Sequence, residues 1–271
     1  MKYDPTKIMH REILSAEERA WLLAISKNYP LDDFLKDNRN FEEAAVDFVY
    51  TSAKIEGNTY DRIDTDGLVR MGVTAGGKKH TDALMIVNLK SAFDDVMQAD
   101  ENTVIDKDYI CNLHKVLMEN LLPKKEQGMV RMSAVSIGAT EYQPLESFTK
   151  LTEEMKTMVQ VANQYSNDFE RAIYLHCNLA YLQYFKDGNK RTARLTQTSV
   201  LVQSGILPLF FSAKLIEKYK RAVISYYETG EYRAYVDFFK ENYFIAMERL
   251  IGKEPKIVLE AKEPSILKIK M

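Results

Sequence analysis

The chain has 271 residues, of which 46% are hydrophobic and 28% charged, and its formal net charge is −2. This length and apolar content can supply one large core or two small ones. The balanced charge excludes nucleic-acid binding by bulk charge but leaves room for a local basic site.

The cysteine content, the apolar runs and the N-terminal pattern together predict the cellular compartment. Two cysteines, Cys111 and Cys177, are too few for a disulfide framework and predict a reducing environment. No apolar run reaches the roughly 20 residues that cross a bilayer. The N-terminus lacks the charged and then apolar pattern of a signal peptide. We therefore expect a cytoplasmic protein with no membrane partner.

Long stretches with helical periodicity, separated by few glycines and prolines, favour an all-α domain. The first predicted helix covers 15–26, where Ser15 and Glu18 have the spacing of a capping box. The second covers 41–54 and ends near Gly57, and a glycine-containing loop follows at 75–79. Further helices are predicted over these ranges: 81–97, 106–121, 149–164, 169–183, 191–204, 213–229 and 232–250.

One stretch departs from the helical pattern. Residues 131–142 alternate over a short distance, with Gly138 at a turn, which predicts a small β-hairpin. The chain contains no internal repeat and no clear linker. We divide it into an N-terminal helical extension (1–40), a core (41–247) and a C-terminal tail (248–271).

The segment most informative about chemistry is a polar turn followed by a predicted helix: Phe185-Lys186-Asp187-Gly188-Asn189-Lys190-Arg191-Thr192-Ala193-Arg194. Backbone N–H groups at a helix N-terminus form an anion site. Asp187 suits a Mg²⁺ ion that bridges phosphates, and Arg191 and Arg194 can fork onto phosphate oxygens. The alternative is an ordinary interhelical turn whose arginines are solvated or paired with carboxylates.

These residues resemble the motif of the Fic/Doc family, His-Pro-Phe-x-Asp/Glu-Gly-Asn-Gly-Arg-x-x-Arg, and match it at Phe185, Asp187, Gly188, Asn189, Arg191 and Arg194. The resemblance extends over roughly 41–247. It includes 113–117, similar to the helix before the family's hairpin flap. It also includes a stretch similar to the flap itself, which aligns a target peptide: Gly128-Met129-Val130-Arg131 followed by Val135-Ser136-Ile137-Gly138.

The resemblance implies a Fic-type helical domain with one short β-hairpin flap. Members of the family transfer part of a nucleotide to a protein hydroxyl, most commonly AMP from ATP to Tyr, Thr or Ser. By this resemblance Asp187 holds Mg²⁺, and the amides from Gly188 to Lys190, with Asn189, cradle the phosphates of ATP. Arg191 and Arg194 bind the remaining phosphate charge.

The main departure from the family pattern is Gln183, which stands where the family has its catalytic histidine. That histidine is the general base for the attacking hydroxyl, whereas a glutamine amide can orient a hydroxyl but cannot take its proton near neutral pH. His176 lies seven residues earlier, about 10 Å along a helix, and is too far to replace it directly. We interpret His176 and His114 as structural.

Lys190 is the second departure, because most members have glycine there. An Asn-Lys-Arg version occurs in the Doc branch, whose toxin resembles a kinase. The lysine either adds a cation beside the phosphates or partly fills the anion pocket.

Upstream, Ser52-Ala53-Lys54-Ile55-Glu56-Gly57 resembles the family's inhibitory motif. The resemblance pairs Glu56 with Arg194, which would block the γ-phosphate. A carboxylate paired with an arginine does displace any anion that the arginine would otherwise bind.

Two classes of function remain open from the sequence. The first is a Mg²⁺- and ATP-dependent transferase on protein hydroxyls, restrained by Glu56 and impaired by Gln183. The second is a pseudoenzyme that binds a nucleotide or anion and acts through a regulatory protein partner. A Doc-like transfer of another phosphate group is a further alternative, and a homodimer is left open.

Overall fold

The computed structural model describes residues 1–258, and helices dominate it. The α-helices are α1 (Ala16–Ser26), α2 (Leu31–Lys36), α3 (Asn38–Ile55), α4 (Arg62–Met71), α5 (His80–Met97), α6 (Lys107–Leu117), α7 (Phe148–Ala162), α8 (Asp168–Leu182), α9 (Asn189–Gln203), α10 (Ile216–Thr229) and α11 (Arg233–Ile251). Short 3₁₀ turns occur at Pro5–Ile8, Lys124–Glu126 and Ala213–Leu215. The predicted all-α class is confirmed.

Helices α8 and α9 form the centre of the molecule. They pack along each other, and α5, α6, α7, α10 and α11 surround them. Nearly every side chain of both helices is buried, including polar ones such as Asn178 and Gln197. The turn that joins the two helices is therefore held on a rigid, enclosed scaffold, which is what a precise binding site requires.

Local capping signals explain where several helices begin. Ser15 accepts a hydrogen bond from the backbone N–H of Glu18, whose carboxylate accepts from the N–H of Ser15, so the predicted capping box of α1 is confirmed. Asp61 caps α4 in the same reciprocal way with Asp64. Helix α3 ends at Ile55 with Glu56 as its C-cap, and Gly57 follows with φ +83°, the left-handed conformation that glycine adopts without strain.

Two helices were absent from the sequence-based prediction, and one is shorter than predicted. Helix α2 has only six residues, and α4 buries only Thr65 and Leu68, so neither has a strong apolar period. Helix α6 ends at Leu117 rather than near 121, and Asn120 then adopts a positive φ of 57°. The tail expected from 248 overlaps the last turn of α11, and 259–271 lie outside the described residues.

The predicted hairpin at 131–142 is a two-armed loop that turns at Gly138 and Ala139. Its arms exchange no ladder hydrogen bonds, and the one β-bridge among residues 1–258 joins Lys2 to Gln143 instead. Lys2 thus pairs with Gln143, the residue that follows the outgoing arm. The flap is present where the sequence predicted it, but a β-hairpin ladder is not.

Arg131 anchors the base of this flap. Its guanidinium donates to the backbone oxygens of Ser133 (2.8 Å), Gln183 (2.6 Å) and Leu145. Its own N–H donates to the carbonyl of Tyr184 at 3.0 Å. One buried arginine therefore fixes both arms of the flap to the turn after α8.

No helix within residues 1–258 has both the length and the apolar character needed to cross a bilayer.

Candidate functional site

A cavity of about 210 Å³ lies between the flap and the turn that joins α8 to α9. The flap supplies one wall through 135–138, and the turn supplies another through Gln183 and 186–190. Glu56 and Tyr227 close it from the ends of α3 and α10. The fold thus brings the predicted flap, motif and inhibitory residues to one place.

A larger groove, of about 790 Å³, lies along α3 and α11. Its walls hold charges that already pair with each other, such as Asp47 with Arg62 and Arg249. It contains no residue of the motif. The smaller cavity is therefore the candidate site.

The turn is shaped by its own side chains. Gln183 ends α8 in a left-handed conformation with φ 50°. The Asn189 carboxamide accepts from the N–H of Phe185 and donates to its carbonyl, both at 2.8 Å. Because the Asn189 side chain closes the turn in this way, only its backbone N–H is left for a phosphate.

His114 holds the turn from behind. Its Nδ1 accepts from the N–H of Gly128 at 2.8 Å, so Nε2 carries the proton and donates to the carbonyl of Asp187 at 3.0 Å. The ring stacks on Phe185 with centroids 3.7 Å apart. Burial lowers the pKa of His114 to about 4, which keeps the ring neutral. The predicted structural role of His114 fits these contacts.

The N-terminus of α9 and Arg191 present unsatisfied donors. Gly188 is the N-cap of α9 and offers no side chain to bind the first N–H groups. Arg191 is 3% exposed, and its Nη2 donates to Asp187 Oδ2 at 3.0 Å. Its Nε and Nη1 are buried and have no hydrogen-bond partner. Buried N–H groups without an acceptor are costly, so this end of the site is prepared for an anion.

Glu56 closes the other end. Its Oε1 accepts from Arg194 Nη2 at 3.0 Å, so the contact predicted from the sequence is confirmed, and its Oε2 lies 3.6 Å from Lys190 Nζ. Arg194 is fully buried and also donates to the Ser52 carbonyl and the Tyr219 hydroxyl, each at 3.2 Å. We call this contact between Glu56, Lys190 and Arg194 the lock.

The charge of the lock follows from competing effects on Glu56. Burial alone would raise the pKa of this carboxyl, but the positive charges of Arg194, Lys190 and Arg191 outweigh burial and hold it below its usual range. Glu56 is therefore ionised at neutral pH. Ser52 contributes its backbone carbonyl, and its own hydroxyl has no partner.

Gln183 occupies the predicted base position with both ends of its side chain engaged. Nε2 donates to the Ala180 carbonyl at 2.7 Å, and Oε1 accepts from Asn189 Nδ2 at 3.3 Å. A carboxamide held in this way can still offer a lone pair of Oε1 to a hydroxyl, but it cannot take a proton at neutral pH.

The flap segment 134–138 leaves its backbone groups free. No hydrogen bond to these N–H and C=O groups occurs within residues 1–258. Val135, Ser136, Ile137 and Gly138 line the cavity, as predicted. An extended backbone with free polar groups beside a cavity is suited to pair with a further extended segment.

Three residues that shape the site were assigned no role there from the sequence, although Arg131 lies in the stretch that resembles the flap. Tyr219 binds Arg194, Arg131 anchors the flap, and Tyr227 forms part of the cavity wall. All three lie outside the motif, and the tyrosines fall in a helix whose aromatic residues read as core. No spacing signal connected them to residues that are distant in the sequence.

The family comparison matches residues 104–201 to the Fic/DOC family. Among curated proteins, the chain is similar to the protein adenylyltransferase fic-1 of Caenorhabditis elegans, with 26% identity over 221 residues. The alignment covers 79% of this chain and 42% of that protein. The chain thus spans less than half the length of this relative.

Solved structures of other proteins share the fold. The structure of Fic-1 from C. elegans (134–508) aligns with a TM-score of 0.72 at 24% identity, over 88% of this chain and 72% of that one. A Fic-domain-containing signalling protein of Bacteroides thetaiotaomicron gives 0.71 at 18% identity, over 88% and 100%. IbpAFic2-H3717A, solved in complex with adenylylated Cdc42, gives 0.53 at 15% identity, over 88% and 72%.

Proposed function

We propose that this chain, which contains a Fic/DOC family domain, binds ATP in the cavity before α9 and transfers its adenylyl group slowly to a protein hydroxyl. The relative from C. elegans is named a protein adenylyltransferase, and the IbpA domain was solved with an adenylylated protein. Because this chain covers less than half of that relative, substrate and target are part of the proposal.

The observation that carries the proposal is the set of free donors at the turn. Two buried nitrogens of Arg191 and the uncapped N–H groups of α9 point to a ligand with several anionic oxygens. Other arginines within residues 1–258 leave no more than one buried nitrogen without a partner, as Arg11, Arg171 and Arg194 do at Nε. Arg131, for example, places three nitrogens on backbone oxygens. A polyphosphate is the ligand class that fits unsatisfied guanidinium and backbone N–H donors together.

The proposed reaction follows from this arrangement. The acceptor hydroxyl attacks the α-phosphorus of ATP, the bond from that phosphorus to the bridging oxygen breaks, and pyrophosphate leaves with the electron pair. Arg191 and the turn amides neutralise charge on the phosphates. Because Gln183 cannot accept the proton of the acceptor hydroxyl, that proton passes to water. The loss of a general base lowers the rate by ~10²–10⁴-fold.

One residue at this site, Asp187, is suited to bind a magnesium ion. Residues 1–258 contain no group of three or more side chains able to enclose a metal. Asp187 has a side chain that is 62% exposed at the mouth of the turn. Mg²⁺ commonly binds one or two carboxylates together with substrate phosphates and water. Asp187 would hold such an ion, which supplies further charge neutralisation when bound.

The target segment is proposed to dock on the flap. The free backbone groups of 134–138 can pair with an extended peptide, which would place a side-chain hydroxyl beside Gln183. The free cysteines fit a reducing compartment that contains ATP, so we place the reaction in the cytoplasm.

A second candidate function is a nucleotide-binding regulatory protein without transfer activity. The observation that favours it is Gln183, whose carboxamide is bound at both ends. In that case ATP binding would change the surface of the flap that a protein partner contacts. A Doc-like transfer of another phosphate group is the remaining alternative, and Lys190 is the residue that favours it.

The deciding experiment combines calorimetry with a transfer assay. We expect ATP with Mg²⁺ to bind the Glu56→Gly protein, and Arg191→Ala in that background to weaken binding at least tenfold. Incubation with α-³²P-labelled ATP and lysate should then give weak protein labelling. Binding without labelling would support the regulatory function. Absence of binding would contradict both.

A further inference from the structure

Arg194 makes two hydrogen bonds that do not depend on Glu56. Its Nη2 donates both to the Ser52 carbonyl and to the Glu56 carboxylate, whereas the one acceptor of its Nη1 within residues 1–258 is the Tyr219 hydroxyl, at 3.2 Å. Departure of the carboxylate therefore frees a donor on Nη2 and leaves Nη1 held. Since a guanidinium is planar, a bond at each terminal nitrogen fixes the direction of the donor that becomes free.

The Tyr219 hydroxyl is itself held in place. The residue is 1% exposed, and its ring packs edge to face against Phe211, with centroids 5.2 Å apart. Burial raises the pKa of Tyr219 to about 12, so the group stays a hydroxyl at neutral pH. Because its oxygen accepts from Arg194, its own proton is available to Nε2 of the neutral His176 ring, 3.1 Å away. A hydroxyl fixed in this way stays where it is when Glu56 moves.

The contacts behind Tyr219 form a ring that begins and ends on α9. His176, on α8, stacks on the Tyr235 ring of α11, with centroids 4.4 Å apart and an interplanar angle of 17°. The Tyr235 hydroxyl donates to Gln197 Oε1 at 2.7 Å, and Gln197 lies about one turn beyond Arg194 on α9. Four helices thus meet behind one guanidinium, and none of these side chains is part of the wall of the 210 Å³ cavity.

We propose that Tyr219 is a positioning residue for Arg194: its hydroxyl holds the guanidinium in one orientation while the acceptor on Nη2 changes from the Glu56 carboxylate to the terminal phosphate of ATP. This inference rests on the proposed function. A carboxylate and a phosphate present similar anionic oxygens to an arginine, so one orientation serves both. Tyr219 acts through Arg194 and not through a contact of its own with the nucleotide.

The test compares Tyr219→Phe with Tyr226→Phe, each in the Glu56→Gly background. Both tyrosines are buried on α10 and both hydroxyls are bonded, that of Tyr226 to Asn178 Oδ1 at 2.6 Å. Calorimetry with ATP and with ADP, each with Mg²⁺, separates the terminal phosphate from the rest of the nucleotide. For Tyr219→Phe we expect about tenfold weaker binding of ATP and unchanged binding of ADP, because only ATP reaches the guanidinium. Tyr226→Phe should bind both as the parent does.

The ratio of ATP affinity to ADP affinity distinguishes positioning from a general loss of packing. Both substitutions remove a bonded buried hydroxyl, so both variants should melt at a lower temperature than the parent. A role in stability alone predicts the same affinity ratio in Tyr219→Phe, Tyr226→Phe and the parent. Positioning predicts a ratio that falls about tenfold in Tyr219→Phe only.

A second variant keeps the test decisive if Tyr219→Phe does not fold, since that change leaves Arg194 Nη1 without an acceptor. His176→Phe keeps a ring against Tyr235 and removes the acceptor of the Tyr219 proton, so Arg194 stays paired. ATP affinity should then fall roughly threefold, again with ADP affinity unchanged.

Three results would overturn the inference. ATP affinity that is equal or tighter without the Tyr219 hydroxyl would show that the guanidinium needs no such support. Equal weakening of ATP and ADP binding would show that Tyr219 acts on the site as a whole. If the Glu56→Gly parent binds neither nucleotide, the proposed function fails and this inference fails with it. A parent that binds both, with a ratio that Tyr219→Phe does not change, refutes this inference alone.

Discussion

Two buried arginines of α9 lie near the cavity without lining it, and they differ in their hydrogen-bond partners. Arg194, at the lock, places both terminal nitrogens on protein oxygens, whereas Arg191, at the turn, places only one. An anion that reaches the turn meets free donors, but one that reaches the lock must displace the Glu56 carboxylate. The protein is therefore prepared for phosphate at one end and closed to it at the other.

A buried neutral histidine supports each end. His114 connects the segment before the flap to the turn through hydrogen bonds with Gly128 and Asp187. His176 lies behind the lock, with Nε2 3.1 Å from the Tyr219 hydroxyl that binds Arg194. Burial lowers the pKa of both, to about 4 for His114 and well below the usual range for His176. Neither imidazole can act as a base toward the acceptor hydroxyl, because each is buried and held by its own hydrogen bonds and packing contacts.

The largest expected effect comes from opening the lock and restoring a base together. Gln183→His with Glu56→Gly should raise protein labelling from α-³²P-ATP by ~10²–10⁴-fold, about 3–5 kcal/mol of barrier. Gel autoradiography of self-labelling and of lysate proteins measures it. Gln183→Ala with Glu56→Gly is the control and should stay at the parent level.

Lys190 decides how a negative result would be interpreted. Its ammonium is part of the lock, 3.6 Å from Glu56 Oε2, so Lys190→Gly is added to the double variant. A triple variant that binds ATP yet labels nothing would favour the regulatory function. Brisk labelling by the unaltered protein would show that Gln183 does not limit the chemistry.

The next effect tests the histidine that supports the turn. Folding keeps His114 neutral, so between pH 6.5 and about 4 the unfolded chain binds a proton that the folded chain does not. The free energy of unfolding should fall as pH decreases through this window, by about 3 kcal/mol in total. Urea titrations at pH 7, 6 and 5 measure the slope.

His114→Gln sets the matching control for that slope. The variant cannot titrate in this range, so its stability should depend less on pH than that of the parent. His176 stays neutral in both proteins and contributes equally to both slopes. Identical slopes would contradict the pKa assigned to His114.

A smaller effect tests how tightly the turn is packed. Gly188 and Gly72 both have a left-handed backbone, with φ +75° and +69°. A Cβ at Gly188 would lie 2.7 Å from Met118 Sδ and 3.4 Å from the His114 ring, whereas at Gly72 it would meet nothing within 4 Å. Gly72→Ala should cost ~1–2 kcal/mol of stability from backbone strain alone.

Gly188→Ala should cost more than Gly72→Ala, because the Met118 side chain must also move. It should also weaken ATP binding, since the turn amides shift with the backbone. Denaturant unfolding and calorimetry on both variants give the comparison. Equal stability losses in Gly188→Ala and Gly72→Ala, with an unchanged ATP affinity, would show that the turn accommodates the added methyl group without a further loss of stability.

The sequence predicted the strongly periodic parts of the fold. Helices α5, α8 and α11 begin and end within one residue of their predicted limits, because long apolar stripes define them. Helices α2 and α4 were missed, since short helices that bury few side chains have little periodicity. The flap was located correctly, but its pairing depends on Lys2, whose approach to Gln143 leaves no trace in a local pattern.

The site was predictable only where its residues are adjacent in sequence or belong to a motif. The Glu56–Arg194 contact joins residues 138 positions apart, and it was predicted only because both ends match a motif. Asn189 was predicted to bind phosphate, yet its side chain closes the turn. Tyr219 and Tyr227 gave no signal, because a tyrosine that binds a functional group has the same helical spacing as one that only packs.

The most direct test of the difference between the two ends is calorimetry of ATP and Mg²⁺ with Glu56→Gly. If Glu56 alone closes the lock, its removal should tighten ATP binding by about 1–2 kcal/mol, or roughly 5- to 30-fold. Glu43→Ala, which removes another arginine-paired carboxylate of α3, should leave the affinity unchanged. An ATP affinity that is the same in the unaltered protein and in Glu56→Gly would contradict the account.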